Sequence, residues 1–178
     1  KNVEFYTKID SLIYPKVDKQ KLSLCKGSSI KYVPALVPVE LSISRAGKLG
    51  SQTVGTNLIT YSSNSAGSDT LRYKLKNSFF ESPDYELTLQ VFDNPTTPSI
   101  SREGASTLVS SVESGNQWFL NGNKLVGETG QKITANANGL YTVQTTNSMG
   151  CLSAVSKESY GLITATNSEP IDVVIAPN

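Results

Sequence analysis

The stretch Asn116–Cys151, NQWFLNGNKLVGETGQKITANANGLYTVQTTNSMGC, decides the architecture. Successive side chains of a strand point to opposite faces, so Trp118 and Leu120 share one side of a pleat and Phe119 takes the other. Asn121-Gly122 is a dipeptide that tolerates the left-handed backbone of a two-residue hairpin turn. Gly139-Leu140-Tyr141 then leads a long alternating strand to the turn at Asn147–Gly150, immediately before Cys151. This is the spacing of one β-sandwich within residues 98–155. It places Trp118, Leu120, Tyr141 and Val143 in the core, leaves Phe119 half exposed, and makes Tyr141 a structural residue whose hydroxyl bonds nearby backbone.

Outward from that stretch the same signals recur. The strands expected after residue 98 are Ser99–Arg102, Thr107–Val112, Gln117–Leu120, Lys132–Ala135, Leu140–Thr146 and Leu152–Ser156, with Leu162–Ala165 and Ile171–Ile175 in a terminal extension. Upstream, Phe92–Pro98 holds two prolines that cannot donate to a ladder, and reads as a linker. Before it the expected strands are Val3–Ile9, Ser29–Val33, Val39–Ser44, Leu58–Tyr61, Thr70–Leu75 and Tyr85–Phe92. Strict alternation puts Leu71, Tyr73 and Leu75 on one face and Arg72 and Lys74 on the other, and Leu87, Leu89 and Val91 repeat the device. At roughly 100 residues per sandwich, the reading is an all-β chain of two tandem immunoglobulin-like β-sandwich domains, residues 1–94 and 95–178.

Composition removes several functions. Sixteen basic and fifteen acidic residues give a net charge of +1, too little field to gather nucleic acid or an anionic membrane. No apolar run is long enough to span a bilayer, and Lys1-Asn2-Val3 does not open a secretory leader. There is no histidine, so Ser-His-Asp and Cys-His catalysis and His-containing zinc sites are excluded. Cys25 and Cys151 lack CxxC spacing, which excludes a Cys-only zinc site and a thioredoxin-type pair and leaves one bridge or two free thiols. Asp10, Asp18, Asp69, Asp84 and Asp93 form no calcium-loop pattern, and turn and capping roles account for them. The acids Glu40, Glu81, Asp84 and Glu86 could be paired for glycoside hydrolysis only across a cleft, which two small sandwiches do not offer. No cofactor or metal is expected. Among the aromatic residues, Trp118, Tyr61, Tyr73 and Tyr141 are in phase with apolar neighbours and read as core, which leaves Phe119, Tyr6, Tyr14 and Tyr160 as surface contacts for a ligand.

The segments Gln117–Gly122, Gly127-Glu128-Thr129, Gly139–Val143 and Asn147–Cys151 resemble the Ig-like repeats of Bacteroidetes surface and secreted proteins. These include adhesins, gliding-motility proteins and multidomain polysaccharide-degrading enzymes exported by the type IX route. More loosely, Leu24–Ile30 resembles the entry to a second strand in these repeats, and Ile59-Thr60-Tyr61 with Gly67–Tyr73 resembles their cadherin-like variants. The departures are Thr107-Leu108, where such repeats often carry Leu-Cys, and the lack of a Gly-Cys turn in the first module. The resemblance implies an extracellular or bacterial cell-surface setting, and O-glycosylation at Asp-Ser/Thr-apolar tripeptides, here Ser11 and Thr70. In an immunoglobulin-like sandwich the turn into the second strand and the last hairpin turn lie at opposite poles. Cys25 and Cys151 would then both face the linker, where a bridge would fix the angle between modules. The function expected is a non-catalytic adhesion or spacer segment of a larger protein. Its partners would be neighbouring domains of the same polypeptide and a surface glycan or protein, with no nucleic acid and no membrane insertion. Two alternatives are a carbohydrate-binding accessory module of a glycan-degrading enzyme and an assembly subunit joined by strand addition.

Overall fold

A computed structural model describes residues 19–34, 40–78 and 81–160. The chain divides into two compact units, Lys1–Asn94 with Ser148–Cys151, and Pro95–Asn147 with Leu152–Asn178. The division falls in the proline-bearing stretch, and Ser148–Cys151 group with the first unit, where Cys151 is bonded to Cys25.

In the first unit the described strands are β1 (Lys19–Cys25), β2 (Ser29–Tyr32), β3 (Glu40–Arg45), β4 (Ser51–Gly55), β5 (Leu58–Ser62), β6 (Gly67–Lys76) and β7 (Tyr85–Phe92). They form two sheets, β1-β7-β6-β3 and β2-β5-β4. Alternation builds the core between them: Leu71, Tyr73 and Leu75 of β6, Leu87, Leu89 and Val91 of β7, and Ile59 and Tyr61 of β5 are all buried. Arg72 lies on the other face of β6 and pairs with Glu86 at 3.5 Å across the ladder. Two strands carry no expectation from sequence. In β1, Leu22 and Leu24 alternate with polar residues, but two lysines and a glutamine at its start dilute the pattern, and its parallel pairing with β7 is a long-range event. The edge strand β4 is almost wholly exposed, so it has no apolar face to read.

Asp69, expected in a turn or capping role, does bond backbone N–H groups, but from a buried position within β6: its carboxylate accepts hydrogen bonds from Lys48 N (2.9 Å), Leu49 N (3.0 Å), Tyr61 Oη (2.7 Å) and Thr70 N (2.9 Å). The chain between β3 and β4 docks on it so closely that a Cβ at Gly47 would lie 2.4 Å from Asp69 Oδ2. Burial by itself raises the carboxyl pKa, but the donors from Lys48, Tyr61, Leu49 and Thr70 outweigh it and hold the group below its ordinary 3.8. A carboxylate whose folded pKa is depressed stabilises the fold above its unfolded pKa, and that contribution is lost as pH falls through the folded value. Asp69→Ala is therefore expected to cost about 2–3 kcal/mol near neutrality. Urea midpoints at about pH 7 and about pH 3 should show the gap between variant and parent shrinking in acid; a gap independent of pH would contradict this account.

The second unit contains β8 (Ile100–Glu103), β9 (Thr107–Ser110), β10 (Asn116–Leu120), β11 (Asn123–Lys124), β12 (Lys132–Thr134), β13 (Leu140–Thr145) and β14 (Ser159–Tyr160). Its sheets are β12-β9-β8 and β11-β10-β13-β14. Between β10 and β11, Leu120 pairs with Asn123, and Asn121 and Gly122 both have positive φ, as a two-residue hairpin of this hand requires. Trp118 is fully buried and donates from Nε1 to Gly130 O at 2.9 Å. Tyr141 is buried and its hydroxyl donates to Ala137 O at 3.1 Å. They pack with Leu108, Ile133, Ala135 and Val143. Leu120, expected in the core, is only half-buried, because it stands at the end of β10 beside the turn.

The expected strand Leu152–Ser156 is corrected by the structure. Beyond a single bridge at Leu152, this segment satisfies β13 by another route. Ser153 N donates to Thr145 O while Ser153 Oγ accepts from Thr145 N, and Ser156 treats Val143 in the same way. Three residues on this segment thus span two on β13, a bulge in which serine hydroxyls stand where ladder carbonyls would be. Ser82 does the same for Leu75 in the first unit. Both units are immunoglobulin-like sandwiches by strand order and core placement. The expected strands Val3–Ile9, Leu162–Ala165 and Ile171–Ile175 lie outside the described residues.

Candidate surface site on the outer face of the second unit

The outer face of the four-stranded sheet in the second unit carries a concave site. Odd positions of β10 and even positions of β13 point away from the core, so the register pairs there are Gln117 with Gln144 and Phe119 with Thr142. Lys124 of β11 stands opposite Phe119 on the other flank. Gln117, Gln144, Phe119 and Lys124, with Gly115, Asn116, Thr129, Thr146 and Leu152, line a shallow hollow of about 520 Å³. Its floor is backbone at closest approach: Gly115 has φ +78, and a Cβ there would lie 2.2 Å from Thr146 O, so only glycine fits. Phe119 is half-buried, and Leu152 is 52% exposed.

Two glutamines on this face are held from behind. Gln117 Nε2 donates to Trp118 O at 3.0 Å and to Leu125 O at 2.8 Å, and Gln144 Nε2 donates to Ser153 O at 2.8 Å. Their amide groups are thereby fixed in orientation before any ligand arrives. Lys124 is exposed and in no ion pair among the described residues. The sequence singled out Phe119 on this face. The glutamines and Leu152 escaped it, because only the fold brings residues 115–119, 124 and 144–152 to one place.

The other residues raised by the sequence are dispersed. Glu40 and Glu81 line a second hollow, on the outer face of β3 and β6, with Leu41, Ser42, Lys74 and Lys76. Glu81 is tied to Lys74 at 3.2 Å, and Glu40 faces Lys76 in register. Glu86 is occupied by Arg72, Asp93 lies 3.6 Å from Lys26, and Asp84 is exposed. Among the described residues no group of three or more metal-ligating side chains converges. Tyr61 and Tyr73 are core residues whose hydroxyls are pushed upward in pKa, first by burial and then by hydrogen bonds to Asp69 and Tyr32 respectively. Thr70 sits in mid-strand on β6 opposite Thr88, half-buried, with the Asp69 of its tripeptide inside the hydrogen-bond cluster above. Ser11, Asp10, Asp18, Tyr6, Tyr14 and the side chain of Tyr160 lie outside the described residues. Cys25 and Cys151 are joined in a disulfide with Cα atoms 5.5 Å apart. Cys151 is fully buried. No helix among the described residues is long and apolar enough to cross a membrane.

No family model and no curated protein matches the sequence. Among solved structures, murine CEACAM1b is 14% identical, with 79% of this chain and 94% of that chain covered and a TM-score of 0.36. The tandem Ig repeats of Dlar, from Drosophila, are 14% identical, covering 81% and 95% with a TM-score of 0.30. The insect immune protein hemolin, whose domain arrangement is described as having implications for homophilic adhesion, is 9% identical, covering 84% and 51% with a TM-score of 0.30. At these values nothing about ligand or partner passes from those proteins to this chain.

Proposed function

We infer that this chain is a non-catalytic adhesion or spacer segment of a larger cell-surface or secreted protein, built from modules of the bacterial Ig-like repeat type. One observation carries the reading: most of the described aromatic side chains that could stack on ligands are consumed by structure. Trp118, Tyr61, Tyr73, Tyr85 and Tyr141 fill the two cores. Among the described acids, Glu81, Glu86, Asp93 and Glu103 are engaged in ion pairs and Asp69 in a buried hydrogen-bond cluster. A disulfide between a strand end and a turn is a feature of oxidising compartments, which supports an extracellular setting. Sandwiches of mostly antiparallel strands with polar outer faces suit a segment that holds other domains apart and contributes weak contacts many times over, since linked copies gain strength through effective concentration.

Hydrolysis assays on ester, peptide and glycan substrates should show no turnover by the purified chain. A glycan array with calorimetric follow-up should find no single-site affinity tighter than roughly 10 μM, about 7 kcal/mol. An affinity beyond that limit would replace the spacer reading with a carbohydrate-binding accessory module, and measurable hydrolysis would end the non-catalytic reading altogether.

A further inference from the structure

We propose that the hollow on the outer face of β10 and β13 is a weak binding subsite for one pyranose ring of a glycan, seated against Phe119. The proposal rests on the adhesion reading only for the use made of the contact. Its size is that of small-ligand sites, about 520 Å³ against a usual range of roughly 300–1,000 Å³. Its lining is amphipathic: Phe119 and Leu152 give an apolar wall, and Gln117, Gln144, Thr129, Thr146 and Lys124 surround it.

The state of the two glutamines selects the ligand class. Gln117 spends both amide N–H groups on backbone carbonyls of its own unit, and Gln144 spends one. The Oε1 atoms accept no hydrogen bond among the described residues and remain as immobilised acceptors, so the ligand they suit brings donors. A sugar ring brings hydroxyl donors around an apolar C–H face, which matches both parts of the hollow. The aliphatic anchor of a protein partner would cover Phe119 and Leu152 but strip water from two acceptors it cannot satisfy. Addition of a peptide strand is ruled out at this spot, because β10 is already paired on both sides, by β11 and β13, and the hollow lies on the sheet face. Lys124 donates without a competing ion pair, and no carboxylate lines the site. A single aromatic platform sets the strength low, which fits a contact used in many copies.

The test is a titration of the full isotope-labelled chain with cellotriose, xylotriose, mannotriose and chitotriose to about 20 mM, followed by backbone amide shifts; a Kd of order 1 mM is expected for at least one sugar. The moving resonances should be those of residues 115–119, 124, 129 and 142–146. Phe119→Ala should abolish the response and Gln144→Ala weaken it about tenfold, both in chains that stay folded by circular dichroism. Lys31→Ala, on the other unit, should leave it intact. No shift with any of the four sugars, shifts at other residues, or a response that survives Phe119→Ala would overturn the proposal. So would shifts at the hollow from N-acetyl-leucinamide in place of the sugars, which would point to a protein anchor. Each of these failures leaves the adhesion reading standing, whereas hydrolysis or micromolar affinity strikes that reading instead.

Discussion

Trp118→Ala is expected to lower the unfolding free energy of the second unit by about 3–5 kcal/mol, the range for truncating a large core side chain. The side chain is fully buried among Leu108, Ile133, Ala135, Tyr141 and Val143. Its removal takes away that packing, leaves a cavity, and strands Gly130 O, which now accepts from Nε1 at 2.9 Å. Because Trp118 is the only tryptophan, the measurement needs circular dichroism or tyrosine fluorescence rather than indole emission. Phe119→Ala, one residue away on the opposite face, should cost about 1 kcal/mol or less. A loss below about 1 kcal/mol for Trp118→Ala would contradict the core described here.

Breaking the Cys25–Cys151 bridge is expected to have a comparable effect on global unfolding. The two cysteines are 126 residues apart, and in the chain-entropy description closing a loop of that length restricts the unfolded chain by about 5 kcal/mol. Cys25→Ser and Cys151→Ser singly, and the double variant, should show nearly the same loss, because each change opens the same covalent loop. Denaturant midpoints of the oxidised parent and the three variants give the comparison. Non-reducing peptide mapping of protein taken from an oxidising compartment gives the prior check, where two free thiols would exclude the bridge in the working protein. An equal midpoint for parent and double variant would show that native-state effects cancel the entropic term.

The sequence alone reached as far as local periodicity carries. Period-two alternation gave β6, β7, β10 and β13 their core faces, so Leu71, Tyr73, Leu87, Leu89, Trp118, Tyr141 and Val143 could be placed inside from their neighbours only. Asn121-Gly122 announced its turn because the backbone hand of a tight hairpin is a property of two residues. What the tertiary structure decided is everything set by residues distant in the chain. Lys19–Cys25 becomes a strand by lying parallel to Tyr85–Phe92, a pairing invisible in its own lysine-rich start. Asp69, within β6, is buried because Lys48, Leu49 and Tyr61 bring donors to it from two other segments, against the rule that an aspartate faces water. Ser153 and Ser156 replace ladder carbonyls with hydroxyls, so a segment that alternates on paper bulges in space. The surface hollow follows the same logic: Phe119 was legible as an outward aromatic, while the fixed glutamines and the exposed Leu152 that give it a chemical character exist as a site only after β10 and β13 have paired.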